Sequence, residues 1–294
     1  MPHIIVPEAE ALLDKPIPVL DKGEVVLIDY MGSDSRVVAA ARVSYGAGTK
    51  TLREDRGLIH YLMRNLHTSP FEQVILTFRI KWPLFVAAQG ARHRTARPNA
   101  ESFRYSEVTD EFYLPSRLRN QHATNMQGSL DAPFEPTEGC TFSEEELCGI
   151  LGQATRDAFA RYETLRRAGV ARELSRIVIP QNLYTNWYWQ IDLHNLFHFL
   201  RLRLDWHAQW EIRQYAEAMA RCARAVAPLC YEAFEEHLLY GVRLSRTELE
   251  ALRQLLAQEC VEPARKLETA AAAVGLKARA IAEFSAKLLP EVAS

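Results

Sequence analysis

Residues 74–82 alternate between apolar and polar side chains along most of their length. Every second position is apolar: Val74, Leu76, Phe78, Ile80 and Trp82. Polar side chains stand between several of them: Thr77, Arg79 and Lys81. A period of two with one polar face is typical of a strand in an antiparallel sheet. The β-branched and aromatic run 182–191 is predicted to pair with this strand, and the apolar run 25–30 is predicted to be another strand.

Helical periodicity dominates the rest of the chain. The predicted helices cover residues 36–42, 51–66, 83–91, 143–169, 172–179, 193–203 and 206–239. Three of the helical regions begin with capping-box spacing: Thr51-x-x-Glu54, Ser143-x-x-Glu146 and Ser245-x-x-Glu248. Residues 116–142 are rich in Asn, Gln, Gly, Pro and Thr and are expected to form a long loop. These patterns predict an α+β fold, a twisted antiparallel sheet packed with long helices.

The domain organisation follows from the same patterns. Residues 1–22 contain three prolines and are expected to be an irregular lead-in. Residues 23–242 would then form one domain, and residues 243–294 a helical C-terminal extension used for packing or assembly.

The chemistry is concentrated in residues 92–106. This stretch of fifteen residues carries four arginines and one histidine directly after an apolar helical run. Arginine offers a planar fork of donors that matches phosphate or carboxylate, so the stretch suits anion binding. A solvated basic turn is the simpler alternative. Pro98 and Asn99 mark a break in the helix, after which a turn can direct Ser102 and Arg104 at one ligand.

Composition narrows the function classes. The chain has 294 residues, 48% hydrophobic and 24% charged, and a net charge of −2, which excludes disordered and collagen-like classes and disfavours a general nucleic-acid binder. Five cysteines form no Cys-x-x-Cys pair, so a reducing cytoplasm is expected. Neither a signal peptide nor a membrane-spanning run is apparent, so no membrane partner is expected.

The arginine stretch also carries a family resemblance. Arg92-His93-Arg94, Ser102 and Arg104-Tyr105-Ser106 together resemble the signature of the flavin-dependent thymidylate synthases, the ThyX family. The likeness continues, in the order of the family, through Ala41-Arg-Val-Ser44, His67-x-Ser69-Pro-Phe-Glu72, Arg176-Ile-Val-Ile-Pro-x-Asn182-Leu-Tyr-Thr185 and Leu200-x-Leu-Arg203-x-Asp205-x-His207-Ala-Gln-Trp-Glu211. It covers roughly residues 22–240. The resemblance implies a ThyX-like α+β fold and a homotetramer with shared active sites.

The resemblance also implies an activity and a set of site residues. ThyX enzymes make thymidylate from dUMP, with methylene-tetrahydrofolate as carbon donor and NADPH reducing a bound FAD. Arg203 would be the catalytic arginine at the pyrimidine. The dUMP site would comprise Gln89, Gly90, Ala91, Arg92, Ala100, Glu101, Ser102, Phe103, Arg104, Arg176 and Arg203. FAD would contact His67, Ser69, Arg92, His93, Arg94, Asp192, Leu193, His194 and His198.

The chain departs from the family pattern at a few positions. The family commonly has Glu two residues before the motif serine, where this chain has Ala100, and Glu101 stands one position later. Asp192 and His198 occupy positions where Asn is frequent in the family.

Two other functions are compatible with the residues. His194, His198 and His207 could serve a metal-dependent nucleotide hydrolase, although the Glu that usually follows the first histidine of such a helix is replaced by Asn195. The stretch 92–104 could instead belong to a non-catalytic RNA- or nucleotide-binding module. The common glycine-rich phosphate loops are missing, so arginines would have to hold any phosphate, with Ser102 as a hydrogen-bond donor rather than a nucleophile.

Overall fold

The computed structural model describes residues 4–43, 52–123, 126, 128–259 and 263–288. Within these ranges an antiparallel sheet has the strands β1 (Ile17–Val19), β2 (Gly23–Met31), β3 (Ile75–Pro83), β4 (Arg97–Ala100) and β5 (Tyr184–Asp192). Their spatial order is β1-β2-β3-β5-β4. The predicted pairing of the two long strands is confirmed, because Ile75 lies opposite Asp192 and Pro83 opposite Tyr184.

The helices of the part that contains the sheet are α1 (Pro7–Glu10), α2 (Asp34–Ala41), α3 (Leu52–Arg64), α4 (Leu84–Gly90), α5 (Glu144–Arg167), α6 (Arg172–Ser175), α7 (Leu193–Arg203), α8 (Trp210–Val226) and α9 (Pro228–Phe234). The capping box at Ser143 is confirmed at the start of α5. The capping box expected at Thr51 stays a prediction, because Thr51 lies outside the described ranges. Ser44 lies outside them as well. The predicted α+β class is confirmed.

Three expectations about secondary structure need correction. The lead-in is not irregular, because it contains α1 and the strand β1, which pairs with β2. Pro98 and Asn99 lie in β4 at the sheet edge, where a proline costs no ladder hydrogen bond. The helix expected over 206–239 begins only at Trp210 and is interrupted at Pro228, since proline has no N–H to continue the ladder.

One face of the sheet forms the core. Leu76, Phe78, Ile80 and Trp82 are fully buried, whereas the residues between them are half-buried. Trp82 makes edge-on ring contacts with Trp187, Trp189 and Tyr215, so the indole joins two strands to α8. The alternation in the sequence therefore marks the face that is removed from water.

The chain divides into two compact units, Met1–Tyr240 and Gly241–Ser294. The second unit contains α10 (Arg246–Glu259), α11 (Pro263–Ala273) and α12 (Ala278–Leu288), as its helical periodicity predicts. Its capping box is present, with the amide of Glu248 donating to Ser245 Oγ at 3.3 Å and the amide of Ser245 donating to Glu248 at 2.7 Å. Arg253 donates to the carbonyl of Leu288 at 2.8 Å and so links α10 to α12. The domain limits 23–242 and 243–294 stay predictions.

Helices that are both long and apolar enough to cross a bilayer do not occur among the described residues.

The close packing of Gly90 on Trp82 can be tested. A Cβ added at Gly90 would lie 2.4 Å from Trp82 Cη2, and the buried indole has no free direction in which to move. We expect Gly90→Ala to lower the free energy of unfolding by about 1–3 kcal/mol in denaturant titrations, as overpacking does. Gly57→Ala is the matched control on α3, where the new Cβ meets nothing within 4 Å. In Gly57→Ala the gain in helix propensity should raise the free energy of unfolding by about 0.5–1 kcal/mol. Equal stabilities of the two variants would contradict the packing.

Candidate active site

The arginine stretch is a turn followed by an edge strand. α4 ends at Gly90, whose carbonyl accepts the amide of His93 at 3.0 Å, and the carbonyl of His93 accepts the amide of Ala96 at 3.2 Å. These two tight turns expose Arg92 and Arg94 on either side of the buried His93. The chain then enters β4. The stretch is therefore neither a helix continuation nor an unsupported loop.

His93 meets the end of a distant helix. Arg203, the last residue of α7, donates its Nε–H to His93 Nε2 at 3.1 Å. α7 begins at the Ile75 end of β3, whereas α4 begins at the Pro83 end. The eleven residues of α7 extend about 16 Å back along the sheet, and this length lets Arg203 reach the turn that follows α4.

The imidazole of His93 is neutral at physiological pH. Burial, followed by the charges of Arg203 and His198, lowers the pKa of His93 to about 4. An unprotonated Nε2 is required to accept from Arg203, so the remaining ring proton is on Nδ1. Burial also lowers the pKa of Arg203, but a guanidinium is so strong a base that it stays charged. The pair is thus a fixed cation oriented by a neutral acceptor.

Aromatic packing holds this histidine from behind. The ring of Phe199 is edge-on to His93 with 4.8 Å between centroids, and Phe199 is edge-on to Trp189 at 5.1 Å. His198, on the same helix, lies with its ring centroid 6.1 Å from that of His93 and is exposed. The structure therefore groups His93, His198 and Arg203, three of the predicted site residues.

The three predicted flavin contacts at the start of α7 have different surroundings in the structure. Asp192 is the N-cap, and its two carboxylate oxygens accept the amide of Asn195 at 2.9 Å and the side-chain NH₂ of Asn195 at 2.7 Å. Leu193 has its side chain in the core and its amide bonded to the carbonyl of Val74 at 2.8 Å. The side chain of Leu193 is therefore withdrawn from the site, and Asp192 is engaged in capping. His194 is half-buried on the same turn.

The turn after β4 is anchored by a small apolar cluster. Phe103 packs with Val108, Phe112, Tyr162 and Leu183, and Ile179 packs against the same cluster. Ile179 follows the single 3₁₀ turn that contains Arg176. The cluster therefore joins the segment of Ser102 and Arg104 to that of Arg176, three residues of the predicted dUMP site.

Glu101 has a definite partner. Its amide donates to the carbonyl of Asn186 at 2.8 Å, and its carboxylate accepts the side-chain NH₂ of Asn186 at 3.0 Å. These bonds continue the pairing of β4 with β5, in which Ala100 lies opposite Trp187. Ala100 itself is exposed and contributes only backbone.

Four arginines of the predicted site form no ion pair with a carboxylate in the part of the chain that the structure describes: Arg92, Arg94, Arg104 and Arg176. Arg104 lies beside the ring of Tyr105, 5.5 Å from the centroid. Elsewhere, Arg42 pairs with Asp55 at 2.6 Å and Arg117 with Asp131 at 2.6 Å. Exposed, uncompensated guanidinium groups are the donors that an anionic ligand can use.

Two predicted flavin contacts lie apart from these groups. His67 and Ser69 are exposed in the turn between α3 and β3. The ring of His67 is edge-on to Tyr61 at 5.7 Å. Neither residue hydrogen-bonds to the turn of Arg92–Arg94 among the described residues.

The metal alternative gains no support from the arrangement of its histidines. No group of three His, Cys, Asp or Glu side chains converges in a ligand arrangement within the described ranges. His207 lies beyond the end of α7, with Nδ1 at 2.7 Å from Asp205 Oδ1.

Sequence reasoning missed a polar network at the start of α8. Gln89 donates to Gln209 at 2.6 Å, and Gln209 donates to Glu211 at 2.8 Å. Glu211 is 3% exposed and is ion-paired with Arg119 of the 116–142 loop. The signal was the unusual density of polar residues among aromatics in 203–211, which indicates more than a core helix.

An arginine that a neutral histidine orients lies here beside arginines of a turn that have no carboxylate partner among the described residues. This donor set suits anionic ligands, and it defines a class of α+β protein that offers side chains rather than a glycine-rich loop to them. The family model described as thymidylate synthase complementing protein matches residues 26–229. The chain belongs to this family, and the resemblance found in its motifs is confirmed.

Relatives in this family are similar over most of their length. A flavin-dependent thymidylate synthase of Thermus thermophilus is 55% identical over 248 residues, which cover 84% of this chain and 88% of the relative. The flavin-dependent thymidylate synthase of Treponema pallidum is 50% identical over 259 residues, covering 87% of this chain and 83% of the relative.

Solved structures show the same fold. The UMP/dUMP methylase PolB of Streptomyces cacaoi, crystallised with 5-Br UMP, superposes with a TM-score of 0.65 at 33% identity. The superposition covers 76% of this chain and 98% of PolB.

The neutral state of His93 predicts how stability depends on pH. The pKa of His93 is lowered from 6.5 to about 4 in the folded chain, so the unfolded chain binds more protons between these values. The free energy of unfolding should therefore fall as pH decreases from about 6.5 to about 4. In His93→Gln, whose amide oxygen can still accept from Arg203, this contribution should be missing. As pH falls through that window, the difference in free energy of unfolding between the two proteins should shrink or reverse in denaturant titrations. Parallel curves of free energy against pH would contradict the assignment.

Proposed function

We propose that this chain is a flavin-dependent thymidylate synthase that methylates dUMP to dTMP, with methylene-tetrahydrofolate as carbon donor and NADPH as reductant. The proposal is supported by family membership and by relatives of that name at 50–55% identity. The structural observation that carries it is the hydrogen bond from Arg203 to the neutral His93, next to the unpaired arginines of the turn.

Arg203 is the residue to which we assign the catalytic role. Transfer of a one-carbon unit to the uracil ring builds negative charge on the ring carbonyls. A guanidinium that is already oriented, beside the buried His93 and Phe199, stabilises that charge without reorganisation. His93 uses its lone pair to hold Nε of Arg203, so the terminal NH₂ groups remain for the substrate.

The nucleotide phosphate is assigned to Ser102, Arg104 and Arg176. Arg104 and Arg176 are exposed guanidinium groups without a carboxylate partner among the described residues, and the Phe103 cluster joins their segments. An arginine fork can bind a phosphate in a bidentate way, and the hydroxyl of Ser102 can add a further donor. We assign Gln89, Gly90, Ala91 and Arg92 to the same nucleotide site, and the contacts of Glu101 and Phe103 fix the turn that carries Ser102 and Arg104.

The donor chemistry of the chain fits FAD. The pyrophosphate of FAD is anionic, and Arg92 and Arg94 present exposed cations on both sides of His93. His67, Ser69, His194 and His198 add exposed or half-buried polar side chains, and Asp192 and Leu193 would contribute through the backbone at the start of α7. Bound FAD would supply the hydride that completes the methyl group, with NADPH as the source of electrons.

We propose a homotetramer with active sites shared between subunits. Arg203 and His93 form one group of site residues, whereas Ser102, Arg104 and Arg176 form another around Phe103. Hydrogen bonds do not join the two groups in the described part of the chain. A second subunit that places its own Phe103 group beside the Arg203 group would complete each site.

We further propose that the enzyme acts in the cytoplasm. The cysteines at 140, 148, 222 and 230 are free thiols. Burial raises the pKa of Cys222 to about 12, so that thiol is inert at neutral pH.

The activity is tested by measuring dTMP formation from dUMP and methylene-tetrahydrofolate with purified, FAD-loaded protein under anaerobic conditions. We expect product when NADPH is present and none when it is omitted. Folded, flavin-loaded protein that binds dUMP but gives no dTMP would refute the proposed reaction.

Arg203→Ala should lower kcat/KM by about 10²–10³, the loss typical of removing one donor that stabilises a developing anion. FAD content and the unfolding midpoint should stay close to those of the unmodified protein. Arg201→Ala is the matched control, because Arg201 lies on the same helix and two residues earlier, where the side chain points to another face. Equal activity of both variants would remove Arg203 from the mechanism.

A further inference from the structure

The carboxylate of Glu211 lies at the buried end of a chain of side-chain amides. It is 3% exposed and accepts hydrogen bonds from Tyr113 at 3.1 Å and from Gln209 at 2.8 Å, in addition to its ion pair with Arg119. Arg119 is also held against the ring of Trp210, 4.8 Å from the centroid. Several donors thus converge on one carboxylate.

This arrangement fixes the direction of every hydrogen bond in the chain of amides. An ionised carboxylate only accepts, so Gln209 must turn its NH₂ group toward Glu211. The carbonyl oxygen of Gln209 therefore faces Gln89, and it accepts from the NH₂ group of Gln89 at 2.6 Å. Gln89 in turn is left with its carbonyl oxygen as the group that can accept from a ligand.

We propose that Glu211 is a positioning residue for nucleotide binding: through Gln209 it holds Gln89 as a hydrogen-bond acceptor for an N–H or O–H group of the nucleotide. We call Glu211, Gln209 and Gln89 the amide relay. The proposal rests on the proposed function, since it assumes that Gln89 faces dUMP. The ring N–H and the 3′-hydroxyl are the groups of dUMP that can donate.

The relay also gives a role to the long loop. Arg119 belongs to residues 116–142, which contain none of the motifs that carry the family resemblance. Arg119 and Tyr113 both bind Oε1 of Glu211, which leaves Oε2 for Gln209. Arg119 of the loop thus binds the carboxylate oxygen that Gln209 does not use, and it helps to orient the carboxylate of Glu211.

Glu211→Gln is the most informative substitution because it preserves shape and reverses polarity. The amide oxygen of the new side chain would take the two donors Arg119 and Tyr113, and its NH₂ group would face Gln209. Gln209 would then flip, and Gln89 would flip after it and present NH₂ to the nucleotide. A donor facing a donor should weaken dUMP binding by about tenfold or more.

The test is a double-mutant cycle on FAD-loaded protein, with dUMP affinity measured by titration calorimetry. We expect Glu211→Gln to weaken dUMP binding in the unmodified protein and to have no further effect when Gln89 is already Leu. Such non-additivity identifies action through Gln89, whereas a general structural role would give additive losses. Gln209→Leu breaks the relay in the middle and serves the same cycle if the Glu211 variant is poorly folded.

Arg117→Ala is the matched control. Arg117 lies on the same loop and pairs with the exposed Asp131, and it does not bond to Glu211. The dUMP affinity of the Arg117→Ala variant should equal that of the unmodified protein. Repeating the cycle with the 2′,3′-dideoxy analogue identifies the donor: loss of the Glu211 effect assigns the 3′-hydroxyl, and persistence assigns the ring N–H.

The outcomes separate the relay from the proposed function. Unmodified protein that does not bind dUMP would refute the proposed function itself. Unmodified protein that binds dUMP, together with unchanged affinity in Glu211→Gln or additive losses in the cycle, would overturn the relay alone.

Discussion

Keeping a guanidinium charged, oriented and partly removed from water is the constraint on which the site depends. Arg203 meets it by donating to a neutral imidazole at 3.1 Å, rather than to a carboxylate that would cancel its charge. His93 can serve because burial lowers its pKa to about 4, well below the pH at which it must accept. A carboxylate in the same place would give a tighter contact and a weaker electrophile. The neutral partner therefore leaves the positive charge of Arg203 uncompensated, as its proposed catalytic role requires.

The fold brings this pair together from positions far apart in sequence. The antiparallel pairing of β3 with β5 sets the origins of α4 and α7 at opposite ends of the sheet, and the length of α7 returns Arg203 to the turn after α4. The buried tryptophans and Phe199 make this framework rigid. The same framework brings Gln89 to Gln209. The polar contacts of the site therefore depend on the packing of the sheet beneath them.

The sequence predicts the parts of the fold that have strong periodicity. β3 and its pairing with β5 follow from alternation, and α7 follows from its apolar spacing with the expected limits of Leu193 and Arg203. β4 escapes prediction because its four residues are all exposed and include a proline, so burial leaves no pattern in them. The amide relay escapes for another reason. Gln89 and Gln209 are 120 residues apart, and no local spacing encodes their contact. Motif resemblance predicts candidate site residues but not the partners that orient them.

The protonation state of His93 tests this account most directly. In ¹⁵N-labelled protein, the two ring nitrogens of His93 can be assigned by comparison with His93→Gln and followed by NMR at pH 7. The account predicts a neutral ring with its proton on Nδ1 and a bare, hydrogen-bonded Nε2. A doubly protonated ring, or a proton on Nε2, would contradict the role of His93 as the acceptor that orients Arg203.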